Sequence, residues 1–234
     1  MEYQTIRTDV APTGIGTITL HRPERRNALS IQMRLEISAC LNEWRDAEQV
    51  GAVVLTGSGA AFSAGFDLQE FGQADKLEDV FQSSSAYHRD VWHFPKPTIA
   101  AVNGPALGGG CDLATLCDLR VCSDTAVFGH PEIKFGAPPL YTPLHLIVGI
   151  GHARQLCLTG AKVDAQQALR MGLVTSVVSD SELLDHAMTL AKTILEAPAQ
   201  TLHYTKRFMS AASDFEEAFV REHDQPFTEL LLKR

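Results

Sequence analysis

Thr98-Ile99-Ala100-Ala101-Val102-Asn103-Gly104-Pro105-Ala106-Leu107-Gly108-Gly109-Gly110-Cys111-Asp112 runs from an apolar stretch into a glycine-rich turn and then into a helix start. A strand without alternating polar residues suits burial on both faces, as in a parallel sheet. Ala52 to Leu55 repeats the design: an apolar strand ended by Thr56-Gly57-Ser58-Gly59, a loop through Ala61-Phe62-Ser63-Ala64-Gly65-Phe66, and Asp67 available to cap a helix. Two such joints predict an α/β core. Loop glycines let a ligand approach the backbone, and helix starts expose unpaired amides at the positive end of the dipole. Two amides converging on one point make an oxyanion hole; separately, such turns serve only tight helix–strand packing.

Outward from these joints, Thr5 to Arg7 and Ile15 to His21 read as strands of a hairpin around Pro12-Thr13-Gly14. Ser30 is placed to cap a helix from Ile31 to Trp44, with Met33, Ile37, Leu41 and Trp44 on one face. A longer helix is expected over Leu77 to His93, before Pro95 and Pro97. Beyond the triple glycine, a short helix from Cys111 to Leu116 and a strand from Leu119 to Cys122 follow. From Ser181 onward the pattern is helical, with Pro198 in the first turn of a new helix. The expected division is a core over 1–180 and a helical region over 181–234.

Hydrophobic residues make up 45% and charged residues 21% of 234, which excludes wholesale disorder. No run approaches the roughly 20 apolar residues of a membrane span. The opening Met1 to Val10 lacks a basic segment before an apolar one, so a secretory signal is not expected. The net charge of −8 with scattered basic residues leaves no nucleic-acid footprint. Five cysteines point to reduced thiols and a cytoplasmic location. The spacing of Cys111, Cys117 and Cys122 fits no usual zinc pattern, so core packing is expected of them and no metal site.

Known glycine and serine motifs fail here. Gly104 to Gly109 lacks the G-x-G-x-x-G order of a dinucleotide site. Ala61 stands where a G-x-S-x-G hydrolase needs glycine before Ser63. Asp112 sits just inside a helix start, where the dipole favours an acid. Glu132 lies in Phe128-Gly129-His130-Pro131-Glu132-Ile133, twenty residues on, and only the fold can bring the two together.

The residues Arg26-Asn27-Ala28-Leu29, Ala61 to Leu68, Lys96 to Gly104 and Leu107 to Ala114 together resemble the crotonase (enoyl-CoA hydratase/isomerase) superfamily. Leu158-Thr159-Gly160 and Met171-Gly172-Leu173-Val174 extend the resemblance over about residues 2–230. It implies an α/β fold of ββα units wound into a spiral, followed by helices that assemble homotrimers, often paired as hexamers. It puts the oxyanion amides at Phe66 and Gly109, with Gly108 beside them, holding the thioester oxygen of an acyl-CoA. Ala64, Gly65, Phe66, Asp67 and Leu68 match the CoA-binding strip, and Arg26 a basic position near the CoA phosphates. The substrate carries the coenzyme A, and no separate cofactor is implied.

The hydratase's two catalytic glutamates fall on Asp112 and Glu132. By this resemblance Glu132 moves the proton and helps orient water, while Asp112 positions that water. Asp112 is one methylene short of the glutamate. After Glu132, Gly136-Ala137-Pro138-Pro139-Leu140-Tyr141 replaces a Gly-Ala-Gly-Gly-like run, so Tyr141 is expected at the pocket wall. Leu140 stands where dienoyl-CoA isomerases and chlorobenzoyl-CoA dehalogenases carry an aspartate, which argues against both chemistries. Hydration of a 2-enoyl-CoA is the expected reaction. Isomerisation of a 3-enoyl-CoA, decarboxylation or hydrolysis of an acyl-CoA, and non-catalytic acyl-CoA binding are the alternatives. Leu183, Leu184, Leu190, Ile194 and Leu195 exceed what one small core obviously needs and are expected to serve assembly.

Overall fold

The structure, a computed structural model, describes residues 3–232. Elements are numbered in chain order. β1 (Ile6–Val10) and β2 (Ile15–Leu20) form the expected antiparallel hairpin, and α1 (Ile31–Arg45) follows. Next come β3 (Ala52–Gly57), the four-residue α2 (Leu68–Phe71), α3 (Leu77–Trp92), β4 (Thr98–Val102) and β5 (Ala106–Leu107). Then come α4 (Gly109–Leu116), β6 (Leu119–Ser123), β7 (Val127–Gly129) and α5 (Tyr141–Thr159), which is kinked at Gly149. β8 (Lys162–Asp164), α6 (Ala165–Arg170), β9 (Ser176–Val178), α7 (Asp180–Leu195), α8 (Ala199–Ala211) and α9 (Phe215–Phe219) complete the order, with π-helical turns after α9.

Six strands pair in the order β1-β2-β3-β4-β6-β9, parallel except for the hairpin. A second sheet, β5-β7-β8, stands beside it. In β3 and β4 alternate side chains bury on opposite faces, which is why neither shows a polar alternate. Val53, Leu55, Ala100 and Val102 join the core under α1 and α3, whereas Val54, Ile99 and Ala101 face α7. Ser30 caps α1 as expected, its side chain accepting from the Met33 amide. All five cysteines are buried and free.

Three expectations change. The helix after the triple glycine begins at Gly109 rather than Cys111. Pro198 caps α8 instead of sitting within its first turn. The apolar residues assigned to assembly are largely consumed within the chain. Leu183 is buried, and Leu190, Ile194 and Leu195 pack against the sheet; of the five, Leu184 alone is exposed. The sheet's second face needed a cover, and α7 supplies it. Among the described residues no helix is long and apolar enough to cross a membrane.

Candidate active site

The two strand–loop–helix joints meet. Asn27 takes a left-handed conformation (φ 53°), which asparagine tolerates better than most side chains. From there its amide donates to the carbonyls of Ser58 and Ala61, and its side-chain oxygen accepts from Arg22 N. Ser63 is fully buried; its hydroxyl donates to the Asn27 carbonyl and accepts from the Gly65 amide. This structural role agrees with the failure of the hydrolase motif. Ser63 also pairs with the second joint, through Ser63 N to Pro105 O at 3.1 Å and Leu107 N to Ser63 O at 3.0 Å.

The close approach explains Gly65. At φ +96°, a Cβ there would stand 2.7 Å from the Leu107 carbonyl oxygen and 3.4 Å from the Gly109 nitrogen. Leu29 accepts from the Asp67 amide and donates to the Gly65 carbonyl, so the Phe66 amide between them is left over. Gly109 opens α4, and its amide precedes the intrahelical bonds. Neither the Phe66 nor the Gly109 amide donates to an acceptor among the described residues.

Asp112 and Glu132, twenty residues apart in sequence, come together with His130. Each offers one atom, and these atoms lie within 4.8 Å of one another. His130 Nδ1 is 2.9 Å from Glu132 Oε1 and 3.7 Å from Asp112 Oδ1. Glu132 Oε2 lies against Gly108: a Cβ there would meet it at 3.0 Å. Asp112 is 7% exposed and His130 fully buried. Asp112 Oδ1, His130 Nε2 and Glu132 Oε2 are all buried without a hydrogen-bond partner among the described residues. The imidazole is engaged with Glu132, in a hydrogen-bonded cluster of titratable groups.

Electrostatics follow from burial. Desolvation pushes the Asp112 carboxyl up to about 7; nearby His130 opposes the rise, and Glu132 and Glu222 add to it. Burial alone would lower His130, but Cys111 and the Glu132 and Asp112 carboxyls more than reverse this, so it titrates well above its ordinary range. Burial thus holds Asp112 protonated to higher pH than an ordinary aspartate.

The remaining expected residues are more dispersed. Ala64, Leu68 and Arg26 are exposed, Gly65 is buried and Phe66 half-buried. The Asp67 carboxylate is occupied by Arg22 at 3.0 Å and by the Gln69 amide in the first turn of α2. Tyr141 opens α5, stacked on His145, and its amide donates to Glu222. Leu140 is buried in the core. His130, Arg34, Tyr87 and His88 were not singled out from the sequence. Arg34 lies 4.8 Å over the Phe66 ring, and Tyr87 and His88 meet that ring edge-on. For His130 one signal was available: a titratable side chain two residues before Glu132, in the same short loop. The other three look like ordinary positions of amphipathic helices.

The enoyl-CoA hydratase/isomerase family model matches residues 11–232. The chain belongs to this family. A probable enoyl-CoA hydratase of Mycobacterium bovis is 39% identical over 215 residues, 91% of this chain and 83% of that protein. An enoyl-CoA hydratase/isomerase from Xanthobacter autotrophicus Py2 superposes with a TM-score of 0.88 at 34% identity, covering 99% of this chain and 87% of that one. A 4-chlorobenzoyl coenzyme A dehalogenase of Arthrobacter sp. is also similar, 35% identical over 222 residues, 90% of this chain and 80% of that protein. Membership in the enoyl-CoA hydratase/isomerase family makes this chain an enzyme of acyl-CoA thioesters with the crotonase fold.

Proposed function

We propose that the protein hydrates a 2-enoyl-CoA. The observation that carries this reading is the convergence of two buried or half-buried carboxyls, Asp112 and Glu132, beside the turn at Gly108 that leads into the unpaired Gly109 amide. In this reading the Phe66 and Gly109 amides hold the thioester oxygen. As water adds to the β-carbon, negative charge moves onto that oxygen, and two fixed donors lower the cost of forming it. Glu132 takes a proton from the attacking water as its OH bonds to the β-carbon and returns that proton to the α-carbon, so that one water is added as H and OH. Asp112 orients the water and, titrating near 7, shares the proton traffic.

Ala64 to Leu68 line the CoA path, with Arg26 beside the phosphates, Gly108 under the thioester and Tyr141 at the acyl wall. The reaction needs no cofactor beyond the coenzyme A of its substrate. The five free thiols suit a cytoplasmic setting. Assembly as a trimer or a dimer of trimers is supported by the exposed Leu158, Tyr204, Phe208 and Met209.

The test is turnover of crotonyl-CoA and longer 2-enoyl-CoAs, followed by loss of conjugated thioester absorbance. Asp112→Asn and Glu132→Gln should each lower kcat by about 10²–10⁴-fold. Turnover of a 3-enoyl-CoA by the wild type, with no 2-enoyl-CoA hydrated, would replace hydration by isomerisation. In that case Glu132→Gln alone should abolish activity.

A further inference from the structure

We infer that His130 is the positioning residue of the acid–base pair, a buried donor that fixes the rotation of the Glu132 carboxylate and stands between it and Asp112. This rests on the reading of those two carboxyls as the proton-handling groups. The last torsion of a glutamate is broad and nearly two-fold, so packing alone does not aim its oxygens. The Nδ1–H donated at 2.9 Å holds Oε1, and Oε2 is left facing Gly108. Pro131 follows directly and opens a short 3-10 turn, so the backbone that carries both His130 and Glu132 is stiff.

The contact of the imidazole with Asp112, which lies beyond hydrogen-bond distance, acts through charge. Two carboxylates this close resist simultaneous ionisation unless a cation stands between them. His130 is 3.7 Å from one and 2.9 Å from the other. The groups facing it are Cys111 and Asp112 from α4, Glu132 from its own turn and Cys157 from α5; Glu222 and Tyr87 face Asp112 from behind. None of these groups can carry a positive charge in place of the imidazole. Hydration requires the carboxylate form of Glu132, and the cation stabilises that form. As pH rises through the raised imidazole titration, the cation is lost and repulsion between the two carboxylates returns. Without the imidazole, Asp112 ionises only at higher pH.

The experiment uses two variants and a spectroscopic measurement. His130→Leu removes the donor; His130→Asn keeps an N–H near the Nδ1 position without the charge. Against a 2-enoyl-CoA, His130→Leu should lose about 10²-fold in kcat, the scale of a misplaced catalytic group, with KM within about twofold. His130→Asn should recover part of kcat, but its acid limb should move up by about one pH unit or more. Nitrogen-15 imidazole NMR on the free protein should find His130 protonated well above the ordinary histidine range, and Glu132→Gln should bring that titration down. If His130→Leu does not fold, His130→Asn and the NMR titration decide. A wild-type kcat and pH profile in His130→Asn, or an ordinary titration of His130 insensitive to Glu132→Gln, overturns the inference. If the wild type hydrates no 2-enoyl-CoA, the functional reading fails, while the NMR measurement still decides the pairing.

Discussion

Replacing Gly108 with alanine tests how closely the fold ties its backbone to the chemistry. Gly108 sits at φ 52°, ψ −127°, a conformation natural only to glycine. Holding alanine there costs about 1–3 kcal/mol, which in a chain of 234 residues lowers Tm by about 2–12 °C. A second effect adds to strain. The new methyl would lie 3.0 Å from Glu132 Oε2 and 3.4 Å from its Cδ, so the carboxylate must shift by a few tenths of an ångström. Displacing a positioned group by about 1 Å costs up to about 10²-fold in rate, so a fall in kcat of about 10-fold is expected. Gly172→Ala separates the two effects: it also has positive φ (+77°), but no atom lies within 4 Å of its Cβ position. It should lower Tm and leave kcat unchanged. Thermal unfolding and enoyl-CoA turnover measure both quantities. Wild-type kcat in Gly108→Ala, or equal losses of kcat in the two variants, would refute the reasoning.

Lys206, 4% exposed, pairs with Asp118 at 2.5 and 2.6 Å, and Asp118 also accepts from the Thr98 amide. Lys206→Ala should therefore cost about 3–5 kcal/mol in chemical denaturation, by stranding that carboxylate. The Asp112 carboxyl is raised from 3.8 to about 7, so the folded state binds a proton that the unfolded state has released. Stability should fall as pH rises from about 4 to 7, and Asp112→Asn should gain on the wild type over that window; a pH-independent difference would contradict this. Light scattering at micromolar concentration should give a trimeric or hexameric mass, and a monomer would refute the proposed assembly.

The local pieces were legible because their causes are local. The apolar runs at Ala52–Leu55 and Thr98–Val102 could satisfy their neighbours only as strands covered on both faces, and Ser30 and Asp67 cap the helices they precede. The crotonase resemblance likewise rests on short motifs, each shaped by a turn or a close backbone contact. The family model bears it out. Tertiary structure decided the rest. The apolar face of α7 looked like an interface in the sequence, because nothing local says that Val54, Ile99 and Ala101 face the same way and need a cover. His130 looked like a loop residue, because its significance lies in the 3.7 Å to a side chain eighteen residues earlier and in the burial that both share. Burial and convergence depend on the whole chain, and with them go the ionisation states of Asp112 and His130. Sequence names the groups that carry charge; only the packed fold sets what holding that charge costs.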